Sequence, residues 1–374
     1  MTVRVLHVID HLGYGGAPLV VKNVVERMPV GEIESIVCAL RPNARAIEID
    51  AEVVTLASRK YSLAAIGAIA RLCREHRIDV VHAHLQKAVM SSLLAAPRLA
   101  SALVLHEHGP VFRHGTGCVY RLCLRLLGAR AGTIIANSQA TKTAVQRALA
   151  GSDVPVVVVP NFVDLEQFDP NRYDRRIVRR KLGFANDACV VGFVGRLDRA
   201  KGADRLIEAA ACLRDEPHAY RFFLVGEGSE RRHLEEQIRR LALEQTVTLA
   251  GLSEKPAEVM SAFDLAVVPS RREAFGIAAL ELMRMRVPVI VSPVGGLPEL
   301  VRDGRTGIIL EYPAPTHIAD AIRRLRADPA LRKSLADRGF EYSCTVDANA
   351  AVAQIVGVYE NVLRARKEDG ATHA

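Results

Sequence analysis

Residues Asp264 to Glu299 read DLAVVPSRREAFGIAALELMRMRVPVIVSPVGGLPE, and the changes of pattern along them decide the fold. Leu265 to Val268 is a short apolar run closed by Pro269 and Ser270, which predicts a buried strand. A polar turn, Arg271 to Gly276, leads into the helix formers Ile277 to Met283. A second apolar run, Val287 to Val291, ends before the Gly295-Gly296 turn. Strand, turn, helix and strand make one βαβ unit. Ligands of open parallel sheets sit at the carboxyl ends of such strands, so the turn carrying Glu273 is placed at the edge of a site.

Glu273 and Glu281 stand at Glu-x7-Glu spacing, one ahead of the helix and one about two turns inside it, so they serve different purposes. The amides of Phe275, Gly276 and Ile277 open the helix, where backbone donors favour an anion such as a diphosphate. An acid within the helix suits a diol, and an acid in the turn suits a hydroxyl nearer a reacting carbon. On spacing alone, two solvated surface glutamates explain the pair equally well.

The sequence Glu273-Ala274-Phe275-Gly276-x4-Glu281, with Pro288-Val-Ile, Gly295-Gly-Leu-Pro-Glu299 and Asp303-Gly-Arg-Thr-Gly307, resembles the donor-site signature of glycosyltransferase family 4. The likeness runs from Val5 to about Tyr359. It implies an α/β chain of GT-B architecture: two Rossmann-like, doubly wound parallel-sheet domains facing a cleft. It also implies retaining transfer of a sugar from a nucleotide diphosphate donor to a hydroxyl acceptor, with no metal or other cofactor. Gly195-Arg196-Leu-x4-Lys201-Gly202 matches the family pattern whose Arg and Lys act on the diphosphate. A leaving nucleoside diphosphate gains negative charge, which a guanidinium fork and an ammonium can meet. By the same resemblance Glu281 binds the ribose diol, Glu273 a sugar hydroxyl and Leu252 lies beside the base. Gly226 and the loop glycines Gly15 and Gly16 lie against the donor, and His108 reaches the transferred sugar. Catalytic roles fall to His108, Glu273, Arg196 and Lys201; donor contacts add Ala274, Phe275, Gly276 and Ile277.

The rest of the chain is consistent with this reading. Val3 to Ile9 is a strand leading to the Gly13-Tyr14-Gly15-Gly16 loop and a helix from Pro18 to Arg27, and short apolar runs then alternate with helical patterns. Pro160 to Pro170 breaks the periodicity, so the expected domains are 1–169, completed by a closing helix at about 345–366, and 170–344. Arg172 to Lys181 is read as a solvated basic helix. Val119, Leu122, Cys123, Leu126 and Leu127 share a helical face that usually packs into a core, with contact to anionic lipid as the sharper alternative. One departure from the family stands at Arg284-Met285-Arg286, where a small residue and glycine are usual.

The composition excludes several classes. The 374 residues are 49% hydrophobic, with no Trp and a net charge of +8, which favours anionic partners such as nucleotide sugars or phospholipid head groups. Nucleic acid is not expected, because no basic stripe is interleaved with stacking aromatics. Seven cysteines form no CxxC pair, and His82/His84 and His106/His108 lack a carboxylate or thiolate companion, so no metal is expected. No signal peptide or membrane span is read, which places the chain in the cytoplasm, with peripheral contact to the inner face of a membrane left open. The acceptor is unread: sugar, lipid-linked glycan and small molecule all fit. A GT-B phosphorylase, a sugar-nucleotide epimerase and a non-catalytic sugar-nucleotide-binding subunit are the alternatives.

Overall fold

The computed structural model describes residues 2–13, 15–57, 63–109, 116–185, 187–216 and 220–372. The chain divides into two compact units, Met1–Phe162 with Ala348–Ala374, and Val163–Asp347, parting inside the Pro160–Asp164 break.

The first unit is built on the strands β1 (Val3–Ile9), β2 (Ile33–Ala39), β3 (Glu52–Thr55), β4 (Val80–His84), β5 (Ala102–Glu107), β6 (Thr133–Ala136) and β7 (Val156–Val158). They pair in parallel in the order 3-2-1-4-5-6-7. The second unit carries β8 (Cys189–Val194), β9 (Tyr220–Val225), β10 (Val247–Gly251), β11 (Leu265–Val268), β12 (Val289–Val291) and β13 (Ile308–Ile309). Their order is 10-9-8-11-12-13, again all parallel. Each unit is therefore a Rossmann-like doubly wound sheet, as the βα alternation predicts. The order reverses between β1 and β4 in the first and between β8 and β11 in the second, the two places where crossovers diverge and leave room for a ligand.

Aliphatic runs with little alternation make the central strands, because helices cover both faces of the sheet. Val190, Val191, Leu265, Ala266, Val267, Val289, Ile290 and Val291 are fully buried.

Two sequence expectations need correction, and one departure from the family pattern is explained. The basic helix Arg175–Lys181 is not uniformly solvated: Arg179 is buried and donates to the Asp264 carboxylate at 2.9 Å, which Arg175 also meets at 2.6 Å. Asp264 in turn accepts from the Val190 amide, so the cations tie the helix to the start of β11. The helix Thr116–Leu127 is rotated from the expected packing. Tyr120 and Leu124 are its buried residues, while Val119, Leu122 and Leu126 are 58%, 54% and 68% exposed. The reason is Glu107, buried at the end of β5: it accepts a hydrogen bond from the Tyr120 hydroxyl, which draws the ring inward. At the departure from the family pattern, Arg286 itself takes the left-handed turn with φ of 56°. Its guanidinium lies 3.9 Å from the Phe340 ring centre and bonds Asp337 at 2.7 Å, contacts that offset the cost of a β-carbon there.

Candidate functional site

In the second unit the carboxyl ends of β8 and β11 meet at the reversal of strand order. The loop after β8 carries Arg196 and Lys201, and the loop after β11 carries Glu273. Two glycines let these backbones touch. Gly202 adopts φ of 75°, and a β-carbon on it would collide with the Pro269 carbonyl. Gly295, after β12, has φ of 59°, and a β-carbon there would collide with the Glu273 carbonyl. Lys201 thereby reaches Glu273: its ammonium donates to Oε2 at 2.6 Å, and Ser270 Oγ lies 3.3 Å from the same oxygen. Both side chains of the pair keep some surface, 24% for Lys201 and 11% for Glu273.

Arg196 stands at the mouth of the same loop. Its side chain is 70% exposed and meets only the Asp198 carboxylate, at 3.0 Å, among the described residues. It is a cation with most of its donors turned to solvent.

Glu281 occupies the first turns of the helix Ile277–Arg284. It is half-buried, and its carboxylate has no hydrogen-bond partner among the described residues. Burial pushes its carboxyl up to about 8, against the pull of the nearby Lys201 charge. Phe275 puts its ring into the core, 7% exposed, and so can serve a ligand through its backbone alone. The amides of Phe275, Gly276 and Ile277 open the helix with no acceptor among the described residues, behind the left-handed Gly276. Gly226 follows β9 and donates its amide to the Gly251 carbonyl at 2.7 Å, which positions the half-exposed Leu252 at the end of β10. Arg196, Lys201, Gly226, Leu252, Glu273 to Ile277 and Glu281 thus all belong to strand ends of one sheet, or to the helix that follows.

The family-model comparison covers nearly all of this framework. Residues 174–342 match the model described as glycosyl transferases group 1, and residues 14–167 match the model described as glycosyltransferase family 4. The chain belongs to the family 4 glycosyltransferases. Among curated relatives of this family 4 chain, a D-inositol 3-phosphate glycosyltransferase of Actinosynnema mirum is 35% identical over 237 residues, 59% of this chain and 56% of that protein. An alpha-D-kanosaminyltransferase of Streptomyces kanamyceticus is 34% identical over 53% of this chain and 52% of its own length. The chain thus spans little more than half the length of these relatives in the matches. Among solved structures, Anabaena HepE in complex with UDP and glucose superposes with a TM-score of 0.81 at 25% identity, covering 96% of this chain and all of that one. Sucrose-phosphate synthase of Thermosynechococcus elongatus superposes at 0.85 with 21% identity, over 97% and 100% of the two chains, and shows the GT-B fold.

The family 4 chain holds its other candidate residues in the first unit. Gly15 precedes the helix Gly16–Glu26 in extended backbone, and Gly16 is its first residue; Tyr14 lies outside the described residues. His108 follows β5, and it is one of five clustered imidazoles. In-register pairing sets His7 of β1 beside His82 of β4, and His84 beside His106 of β5, all on one sheet face. His7 Nδ1 lies 3.2 Å from His84 Nε2, and His84 Nδ1 lies 3.0 Å from His108 Nε2. The Tyr359 hydroxyl, on the helix Ala348–Thr372, is 2.6 Å from His82 Nδ1. Burial depresses all five, His7 and His108 to about 3, so the rings are neutral at pH 7.

Nitrogens of His7, His82 and His84, and of His84, His106 and His108, lie within 4.8 Å of one another. The ring centroids are 4.0 Å apart for His82 and His84, which are tilted at 38°, and 3.9 Å apart for His106 and His108, which stack at 27°. Three of the rings form a hydrogen-bonded chain, His7 to His84 to His108, while His82 bonds Tyr359 and His106 has no hydrogen-bond partner among the described residues. Sequence reading missed His7, whose signal was the in-strand alternation of β1 against β4, and Tyr359, for which no local signal exists.

Proposed function

We propose that the chain moves a sugar from a nucleotide diphosphate-sugar to an acceptor hydroxyl, with retained anomeric configuration and without a metal. The observation that carries this reading is the Lys201–Glu273 contact at 2.6 Å across the β8 and β11 loops, beside the largely solvent-facing Arg196. Arg196, Lys201 and the opening amides of the helix Ile277–Arg284 would supply positive charge where a diphosphate departs, and the demand for that charge grows along the reaction coordinate. Glu273, held by Lys201 and Ser270, would accept from a sugar hydroxyl. Glu281 would take the ribose diol, an exchange of hydrogen-bonding water for two hydroxyls at a carboxyl that burial has left without a partner. Gly226 and Leu252 would border the base. His108, Gly15 and Gly16 are proposed to contribute to donor binding on the strength of the family resemblance. Retention rests on that resemblance too.

The UDP series is the favoured donor class, because HepE, 25% identical over nearly the whole chain, is solved with UDP and glucose. The test is a thermal-shift screen against UDP-, GDP-, ADP- and TDP-sugars, followed by transfer assays with and without EDTA and NMR of the product anomeric centre. Stabilisation by one nucleotide series, EDTA-resistant transfer and a retained configuration are expected. Consumption of donor with no acceptor present, yielding an epimerised sugar nucleotide, would replace this reading.

A further inference from the structure

We infer that the helix Thr116–Leu127 of the first unit is a docking surface for an anionic phospholipid bilayer, into whose interface it lays Val119, Leu122 and Leu126. Two observations support this. The helix buries Tyr120 and Leu124 against its own unit and turns Val119, Leu122 and Leu126 outward at spacings of three and four, with 58%, 54% and 68% of each exposed. Single exposed leucines are ordinary, but three on one helical stripe are an unpartnered apolar face.

The second observation is charge. Arg121 and Arg125 are exposed on the flank of that stripe, and Arg130 is exposed just beyond the helix end. From His108 to Ser152 the sequence contains no Asp or Glu at all, while Arg113, Arg121, Arg125, Arg130, Lys142 and Arg147 all fall within it. A protein partner of mixed charge would meet no acid in this stretch, and a second copy docking the same face would set arginine against arginine. A negatively charged surface with an apolar interior meets both halves of the pattern. Long arginine side chains reach head-group phosphates while the leucines enter the acyl boundary. Each cation near such a surface strengthens binding about fivefold.

No described helix is long and apolar enough to cross a membrane, so the proposed attachment is one that lies in the interface plane.

This inference is independent of sugar transfer, and its test needs no donor. The full chain is sedimented with vesicles of phosphatidylcholine alone and of phosphatidylcholine with an equal part of phosphatidylglycerol, at about 0.1 M and about 0.5 M salt. Wild type is expected to bind the anionic vesicles at least tenfold better than the zwitterionic ones and to be released by the higher salt. The double variant Leu122→Ser with Leu126→Ser, and the double variant Arg121→Gln with Arg125→Gln, should each lose at least tenfold. Melting temperatures should stay within a few degrees of wild type, since the replaced side chains are exposed. Binding unaltered by the serine pair, absence of binding to the anionic vesicles, or a concentration-dependent dimer that the serine pair abolishes would each overturn the assignment.

Discussion

The Lys201 ammonium lies 2.6 Å from the Glu273 carboxylate, although the two residues leave different strands of the sheet. The pair presents a fixed cation and a fixed acceptor to the same space, each orienting the other. Because both keep some surface, their mutual attraction contributes about 1 kcal/mol or less to folding. Their value is in placing charge.

Lys201→Ala is therefore expected to lower kcat/KM by about 100- to 1,000-fold, the usual loss when one preorganised donor to developing charge is removed. The melting temperature should move little. Arg196→Ala should show a smaller loss, since its fork is mostly exposed before a ligand arrives. Steady-state kinetics beside thermal denaturation separates the two effects; equal turnover in wild type and Lys201→Ala would remove Lys201 from the reaction.

Glu281 gives a prediction in which stability and binding move in opposite directions. Its carboxyl is raised from the ordinary 4.5 to about 8 by burial, so between those values the folded chain holds a proton that the unfolded chain has released. Stability attributable to this group is then greatest at and below pH 4.5 and falls as pH rises toward 8. Glu281→Gln removes the titration, and so should melt above wild type at pH 8.5 and show much less advantage at pH 5.5. At pH 8.5, where the wild-type carboxyl is largely ionised, the same variant should bind the nucleotide diphosphate more weakly, by about tenfold for one charge-assisted hydrogen bond. Calorimetry and isothermal titration on one preparation give both readings.

Much of this was legible in the chain. The βα alternation specified both parallel sheets, because strands covered on both faces must be continuous apolar runs, and the strand-end turns flagged Arg196, Lys201, Glu273 and Glu281. What escaped depended on distant partners. Nothing local to Tyr120 or Val119 says which side of their helix is inward; the choice lies with Glu107, buried in β5 and satisfied by a tyrosine hydroxyl. Arg179 reads as one more surface cation until Asp264 arrives from the start of β11. His82 and His84 were visible as a pair, yet they bond different partners: His84 meets His7, brought in by strand register, and His82 meets Tyr359, some 277 residues along the sequence.

Gly295→Ala tests whether loop packing, apart from any side chain, holds Glu273. A β-carbon at this position faces the Glu273 carbonyl and a positive φ at once, so the loop after β11 or the turn after β12 must move. Glu273 should lose its Lys201 contact, and donor affinity should fall by an order of magnitude or more, with about 1 to 3 kcal/mol of stability lost. Glu273→Gln, which leaves the backbone alone, should weaken transfer without that loss of stability. A Gly295→Ala protein with normal melting and normal donor binding would contradict the packing account.

The histidine chain predicts how the protein responds to acid. His7 and His108 are depressed to about 3, and His82, His84 and His106 well below their ordinary 6.5, so in mildly acidic solution the unfolded chain binds protons that the folded chain refuses. Stability then rises with pH across this window: it is fully present above about 6.5 and is lost as pH falls below it, by about 1.4 kcal/mol per pH unit for each such ring. Glu281, and Glu107, which burial also raises to about 8, pull the other way above pH 4.5. With five rings against two carboxyls, the rings dominate on the acid side, and maximal stability is expected between about pH 6.5 and 7.5. His106, buried with both ring nitrogens unpartnered, is the ring to remove. His106→Leu should leave the urea midpoint at pH 7.5 near wild type or above it and make the fall between pH 6.5 and 5 shallower by about one ring's share. An identical pH dependence in wild type and His106→Leu would mean that this imidazole is already protonated in the folded chain.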